Sequence, residues 1–219
     1  MIVAKVGGAV VNASAQAVLA LAKADDVVVV HGAGPQITEE MERFGIPVEF
    51  VGGRRVTTAA GLAVVRSSFA AVNRALCEAL GPRALSLFGD EIGLHAVQVD
   101  ALGLVGDPLP SRPPAVVDAL AENRIPVVAP LGVGPLNVNA DEAAAALALG
   151  LGAERLVFLT DVDGLILDGE VVDAIDVRAA DELLDAGLLE GGIVPKLRAA
   201  AAAARDGVPA AIGRTAVTE

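Results

Sequence analysis

Residues 27–30 are four consecutive valines, and His31-Gly32-Ala33-Gly34-Pro35-Gln36 follows them directly. A strand with one wet face alternates apolar and polar side chains. A run that is apolar and β-branched at every position is one covered on both faces. Ile2–Val6 repeats the scheme, ending in Gly7-Gly8 before a helical pattern over 14–23. A second helix is predicted over 35–44. The order strand–helix–strand–helix implies a parallel sheet with helices on both sides.

The rest of the chain keeps this rhythm. A hairpin is predicted over 48–56 around Gly52-Gly53, then a long helix over 58–80 and a strand at 84–88. Short hairpin strands at 95–99 and 103–105, a helix over 114–122 and a strand at 126–129 complete a first lobe, residues 1–134. The second lobe, 135–219, restarts with a helix over 141–149, a strand at 156–160 and a turn at 161–164. Strands at 165–167 and 171–172 flank Asp168-Gly169, a strong hairpin signal. Helices over 178–186 and 195–205 and strands at 209–212 and 216–218 follow. Pro195 is tolerated in a first turn, and the alanine run 199–204 favours helix. With no repeat and no linker, the lobes read as one continuous domain.

Composition narrows the function. Hydrophobic residues are 54% of the chain but aromatic ones only 2%, so the core is aliphatic and base-stacking platforms are scarce. A net charge of −12 also opposes a nucleic-acid surface. Mean hydropathy is +0.60, yet the longest uncharged apolar stretch, 143–153, falls short of the ~20 residues of a spanning helix. Lys5 and Gly7-Gly8 interrupt any signal-peptide pattern. The single cysteine, Cys77, excludes an internal disulfide and reads as an inert thiol in a helix. These features suit a reducing, cytoplasmic setting without membrane partners.

Both glycine loops stand at carboxyl ends of strands, where open α/β sheets place ligands. Backbone N–H groups there can cradle phosphate, and glycine lets it approach closely. As tight turns alone, they would carry no function. Neither is a dinucleotide fingerprint, since the third glycine position holds Ile37, and no P-loop is present. Lys5 lies inside an apolar strand, where lysine is seldom buried without a partner. Lys196 begins a helix, an unfavourable place for a cation unless an anion faces it. Either lysine is also compatible with a solvated position. Asn137 or Asn139 suits a helix cap, with Asp141 in the first turn. Thr160-Asp161-Val162-Asp163-Gly164-Leu165 ends another strand. No His/Cys cluster has metal-ligand spacing. His31 reads as structural and His95 as a surface residue.

Taken together, Lys-x-Gly-Gly, His-Gly-x-Gly-Pro-Gln, Gly53-Arg54-Arg55-Val56-Thr57, Asn-Val-Asn-Ala-Asp, Leu-Thr-Asp-Val-Asp-Gly-Leu and Gly-Gly-Ile-Val-Pro-Lys occur in one order. In this the chain resembles the acetylglutamate kinases of the amino-acid kinase superfamily, over nearly its whole length. The resemblance implies an open αβα sandwich with a mainly parallel central sheet, the carbamate kinase-like fold. It implies ATP-dependent phosphorylation of the γ-carboxylate of N-acetyl-L-glutamate in arginine biosynthesis. The first lobe would hold the amino-acid substrate and the dimer contact, the second MgATP, with Mg²⁺ carried on the nucleotide.

By the same resemblance, Lys5 and Lys196 clamp the transferring phosphoryl group and Asp141 holds them. Gly7, Gly8, Gly32, Ala33 and Gly34 line the phosphate and substrate loops, although Ala33 stands where glycine is common. Arg55 pairs with the substrate α-carboxylate, Asn137 and Asn139 bind the amino-acid side, and 160–165 line the ATP site. A carrier-protein-linked aminoadipate or glutamate kinase fits less well, because its acidic carrier wants a basic face. A non-catalytic sensor has no need of two clamping lysines. Arginine-inhibited members carry an extra helix before the first strand; here that strand begins at Ile2. The apolar helix over 58–80 favours a two-fold contact. A homodimer insensitive to free arginine is expected.

Overall fold

The computed structural model describes residues 1–7, 11–160 and 162–219. In chain order its elements are β1 (Ile2–Val6), α1 (Val11–Leu21), β2 (Val27–His31), α2 (Gly34–Arg43), β3 (Phe50–Val51), β4 (Arg54–Arg55), α3 (Ala59–Leu80), β5 (Ala84–Phe88), α4 (Gly89–Ile92), β6 (Ala96–Gln98), β7 (Val105–Pro108) and α5 (Pro114–Ala121). There follow β8 (Ile125–Ala129), β9 (Leu131–Gly132), β10 (Leu136–Val138), α6 (Ala140–Leu151), β11 (Arg155–Leu159), β12 (Ile166–Leu167), β13 (Glu170–Val171), β14 (Ala174–Asp176), α7 (Val177–Asp185), α8 (Ile193–Arg205), β15 (Ala210–Ile212) and β16 (Thr215–Thr218).

The valine run is buried at every position, as are all residues of β1 and β8. These strands lie inside an eight-stranded sheet of order β14-β16-β15-β11-β1-β2-β8-β5. Within it only β15 and β16 pair antiparallel. β1 is central, with Lys5 opposite Val30 of β2 on one side and Phe158 of β11 on the other. Strands from the two halves of the chain thus share one sheet.

Successive side chains of a strand point to opposite faces. Ala4 and Val6 meet Val65, Phe69 and Leu76 of α3 in one core layer, with α1 and α2 on the same side. Val3, Val30 and Phe158 meet the alanine-rich α6 and α8 in the other. Small side chains let α6 and α8 pack closely on the sheet, and α6 lies across β1, β2 and β11. A second sheet of order β6-β7-β10-β9 and the hairpins β3–β4 and β12–β13 sit outside the main sheet.

Differences from the sequence reading are local. The second strand of the middle hairpin lies at Val105–Pro108, because Gly103 (φ 78°) is taken up in a bridge to Thr57. A Cβ there would lie 2.5 Å from the Thr57 carbonyl oxygen, so this approach requires glycine. Asn137 belongs to strand β10, and Asn139 alone caps α6, accepting from the N–H groups of Asp141 and Glu142 at 2.8 and 3.3 Å. Of the apolar residues on which a two-fold contact was expected, Val64, Val65, Phe69, Val72 and Leu76 are buried within the chain, and Ala63 is exposed. Cys77 is half-buried, its thiol pushed up by burial and donating to Asn73 Oδ1. No helix among the described residues is long and apolar enough to cross a membrane.

Candidate active site

Three short segments converge at the carboxyl end of β1. Lys5 projects from β1 toward the face covered by α6, where Asp141 occupies the first turn. Its Nζ lies 2.8 Å from Asp141 Oδ1, with both side chains under 10% exposed. Asp141 Oδ2 lies 4.0 Å from Nζ of Lys196, in the first turn of α8. Lys196 also donates to the Gly192 carbonyl at 3.1 Å. One carboxylate therefore bridges two ammonium groups. It is held by the helix N-terminus of α6, where the macrodipole favours a negative charge.

Two cavities open on either side of this cluster. The first, about 210 Å³, is lined by Lys5, Gly32, Gly34, Arg55, Asn137, Asn139 and Asp141, with Phe50, Gly53 and Arg54 from the hairpin. It draws on residues from both sides of position 134. The second, about 580 Å³, is lined by Lys196, Thr160, Val162, Gly164 and Leu165, with Ile166, Leu188, Leu189, Gly192 and Ile193. Val162, Ile166 and Leu188 leave large apolar area exposed at this second cavity.

Arg55 is buried, and among the described residues it forms no ion pair with a carboxylate. It donates to the Gly34 carbonyl at 3.2 Å and to Thr38 Oγ1 at 2.7 Å, and lies over the Phe50 ring at 4.6 Å. Burial lowers its pKa from the ordinary guanidinium range. A buried cation with only neutral partners is poised for an anion. Asn137 Nδ2 donates to Thr57 Oγ1 at 3.0 Å, and that hydroxyl donates to the Arg55 carbonyl at 2.8 Å. Asn137 is thereby tied to the strand that carries the arginine.

The wall of the larger cavity is fixed by Thr215 of β16. Its hydroxyl accepts from Leu165 N–H at 2.8 Å and donates to the Val172 carbonyl at 2.6 Å. A Cβ on Gly164 (φ 157°) would collide with that hydroxyl at 2.5 Å. Asp163 is exposed and supplies its carbonyl to Arg214 N–H at 2.7 Å, with its side chain outside the cavity lining. Gly7 and Ala33 line neither cavity; Ala33 is buried beneath the turn at the N-cap position of α2. Gly8 and Asp161 lie outside the described residues.

The residues and their order match a family. The amino acid kinase family model covers residues 1–214. The chain belongs to the amino acid kinase family. A protein named acetylglutamate kinase in Rubrobacter xylanophilus is 45% identical over 96% of this chain and 87% of its own. The crystal structure of smu.665 from Streptococcus mutans is 29% identical, with a TM-score of 0.90 over 99% of this chain and 98% of that one. Carbamate kinase from Giardia lamblia, solved with AMP-PNP, is 15% identical and shares the fold, with a TM-score of 0.75 over 100% of this chain and 98% of its own.

In this amino acid kinase His31 is a structural residue. It is fully buried, faces Phe69 edge-on, and its Nε2 meets Asn73 Nδ2 at 3.1 Å. Asn73 Nδ2 also donates to the Val127 carbonyl. Burial, above all, lowers the His31 pKa from 6.5 to about 4. Unfolded histidine takes up its proton near 6.5, whereas the folded one resists until about 4. This contribution to stability is complete above pH 6.5 and is lost as pH falls toward 4, about 2 kcal/mol of it between pH 7 and 5. A His31→Gln variant will therefore lose less melting temperature over that range than the wild type. Parallel curves for the two proteins would refute the buried neutral imidazole.

Proposed function

We propose that the chain transfers the γ-phosphoryl group of ATP to the γ-carboxylate of N-acetyl-L-glutamate. The observation that carries this reading is the lysine pair bridged by Asp141, with Lys5 lining one cavity and Lys196 the other. One cavity holds a buried arginine suited to a carboxylate. The other offers apolar walls suited to a nucleoside and a lysine suited to its phosphates. Residues 1–134 supply most of the amino-acid side and 135–219 the nucleotide side.

Phosphoryl transfer is mainly positioning and neutralisation of charge. A side-chain carboxylate with a pKa near ~4.3 is already a nucleophilic anion at neutral pH, so no general base is needed. Lys5 and Lys196 neutralise the charge that spreads over the transferring oxygens. Asp141 keeps the two ammonium groups together without a ligand, which lowers the reorganisation required during reaction. Among the described residues no group of three His, Cys, Asp or Glu side chains could hold a metal ion. Mg²⁺ would arrive on the nucleotide.

The test is ATP turnover against acylated and free amino acids, with hydroxylamine trapping of the acyl phosphate. Turnover should depend on N-acetyl-L-glutamate. Equal turnover with free glutamate, or none with any acceptor, would defeat the reading. A homodimer is part of the same proposal. β5 is an edge strand of the main sheet, and Phe88, Ala84, Ala70 and Cys77, with Arg74 and Glu78, line a groove of about 480 Å³ between it and α3. Light scattering should give twice the chain mass; a monomer at micromolar concentration would rule this out.

A further inference from the structure

Arg54 and Arg55 are neighbours on β4, so their side chains leave the strand on opposite sides. Arg55 turns toward α2. Arg54 reaches across to two other elements. Its Nε and Nη2 donate to Glu142 Oε1 at 3.2 and 3.0 Å, and its Nη1 forms an ion pair with Asp107. Glu142 lies in the first turn of α6, next to Asp141; Asp107 lies on β7 of the small sheet. A single guanidinium thus joins the hairpin, the helix that carries the bridging carboxylate, and the small sheet.

The hairpin has little else of this kind at its tip. Phe50 and Val51 are more than half or about half exposed, and Gly52 and Gly53 turn with positive φ. Its base is held by backbone hydrogen bonds between Thr57 and Leu102 and between Leu104 and Thr57. Phe50, Gly53, Arg54 and Arg55 all line the smaller cavity. Where the hairpin sits therefore decides where the Arg55 guanidinium stands relative to Lys5 and Asp141.

We propose that Arg54 is a positioning residue, a strap that fixes the β3–β4 hairpin over the smaller cavity by bridging Glu142 and Asp107. The strap does not touch the reacting atoms. It acts on the amino-acid substrate through Arg55, and in this it rests on the functional reading above. Burial acts against both charges, yet the carboxylates outweigh it at Arg54 and raise its pKa, while Glu142 is raised by its own burial. The fork geometry makes lysine a poor replacement, since one ammonium group cannot serve two carboxylates with the same directionality.

Steady-state kinetics on the full chain separate this from a merely structural role. Arg54→Ala should raise the KM for N-acetyl-L-glutamate on the order of tenfold and leave the KM for ATP nearly unchanged. Arg54→Lys should fall between the two. Arg54→Ala/Glu142→Ala should be little worse than Arg54→Ala alone, as expected of residues acting as one unit. Unchanged KM for the amino acid, equal shifts in both KM values, or fully additive effects would overturn the strap. Amide exchange over residues 50–57 supplies a readout independent of turnover: Arg54→Ala and Arg54→Lys should exchange faster there than the wild type. Unchanged exchange also overturns the strap, whereas a wild type inactive with N-acetyl-L-glutamate but showing faster exchange in both variants refutes only the substrate assignment.

Discussion

Replacing Lys5 or Lys196 by alanine will lower kcat by roughly 10²–10³-fold, with the chain still folded by circular dichroism. The expectation follows from their shared carboxylate. In the wild type, Asp141 receives Lys5 at 2.8 Å and Lys196 at 4.0 Å, so one carboxylate holds both cations at the site. The centre presents two ammonium groups to an incoming phosphoryl group. Removing either lysine takes away one of the two cations placed to neutralise the transferring oxygens. The fold survives because Asp141 still has one partner, and because an alanine at position 5 keeps an apolar residue in a strand buried throughout. Single-turnover kinetics with saturating substrates would read the loss directly. Near wild-type kcat in both variants would remove the basis for the phosphoryl-transfer assignment.

Arg55→Ala will raise the KM for N-acetyl-L-glutamate by about 100-fold, and Arg55→Lys by about tenfold, with the KM for ATP barely moved. Among the described residues Arg55 meets neutral groups: the Gly34 carbonyl, Thr38 Oγ1, Met41 Sδ and the Phe50 ring. Those contacts orient its planar fork but leave its charge unanswered, so a substrate carboxylate gains a preorganised, poorly hydrated partner. Lysine would keep the charge and lose the second hydrogen bond and the stacking. Isothermal titration with the amino acid alone would check the KM result, since it removes ATP from the measurement. An equal loss of ATP affinity would place Arg55 outside the amino-acid cavity.

Much of the framework could be read from the chain because its strands are so apolar. The valines at 27–30 and the segment Ile2–Val6 gave no choice of wet face, and both are interior strands of the parallel sheet. Lys5 and Lys196 stood out because each is a cation in a place that costs free energy without a partner, and Asp141 is that partner. The Arg54–Glu142–Asp107 contacts were not legible. Arginine on a short hairpin and glutamate in a first helical turn are ordinary surface choices, and Arg54 and Glu142 lie 88 residues apart in the chain. Ile166 and Leu188 were missed for a related reason. Ile166 sits in a three-residue apolar run and Leu188 beside Leu189 after a turn, segments too short to carry a periodic signal, and only the fold brings them to one cavity. The two-fold contact was argued from apolar residues of the long helix, and all of these but Ala63 are buried within the chain.

The placement of β1 has a mechanical consequence. It is hydrogen-bonded to β2 along one edge and to β11 along the other, and it carries Lys5 itself. The strands that lead into the two cavities, β2 toward Gly32 and Gly34 and β11 toward Thr160, pair with opposite edges of β1, so the two cavities are built on one sheet. Coiling of the sheet, a soft motion for twisted strands, shifts one cavity relative to the other. The gap across which a phosphoryl group must pass is then geared to sheet torsion, and amides of β1 should stay protected from exchange throughout turnover.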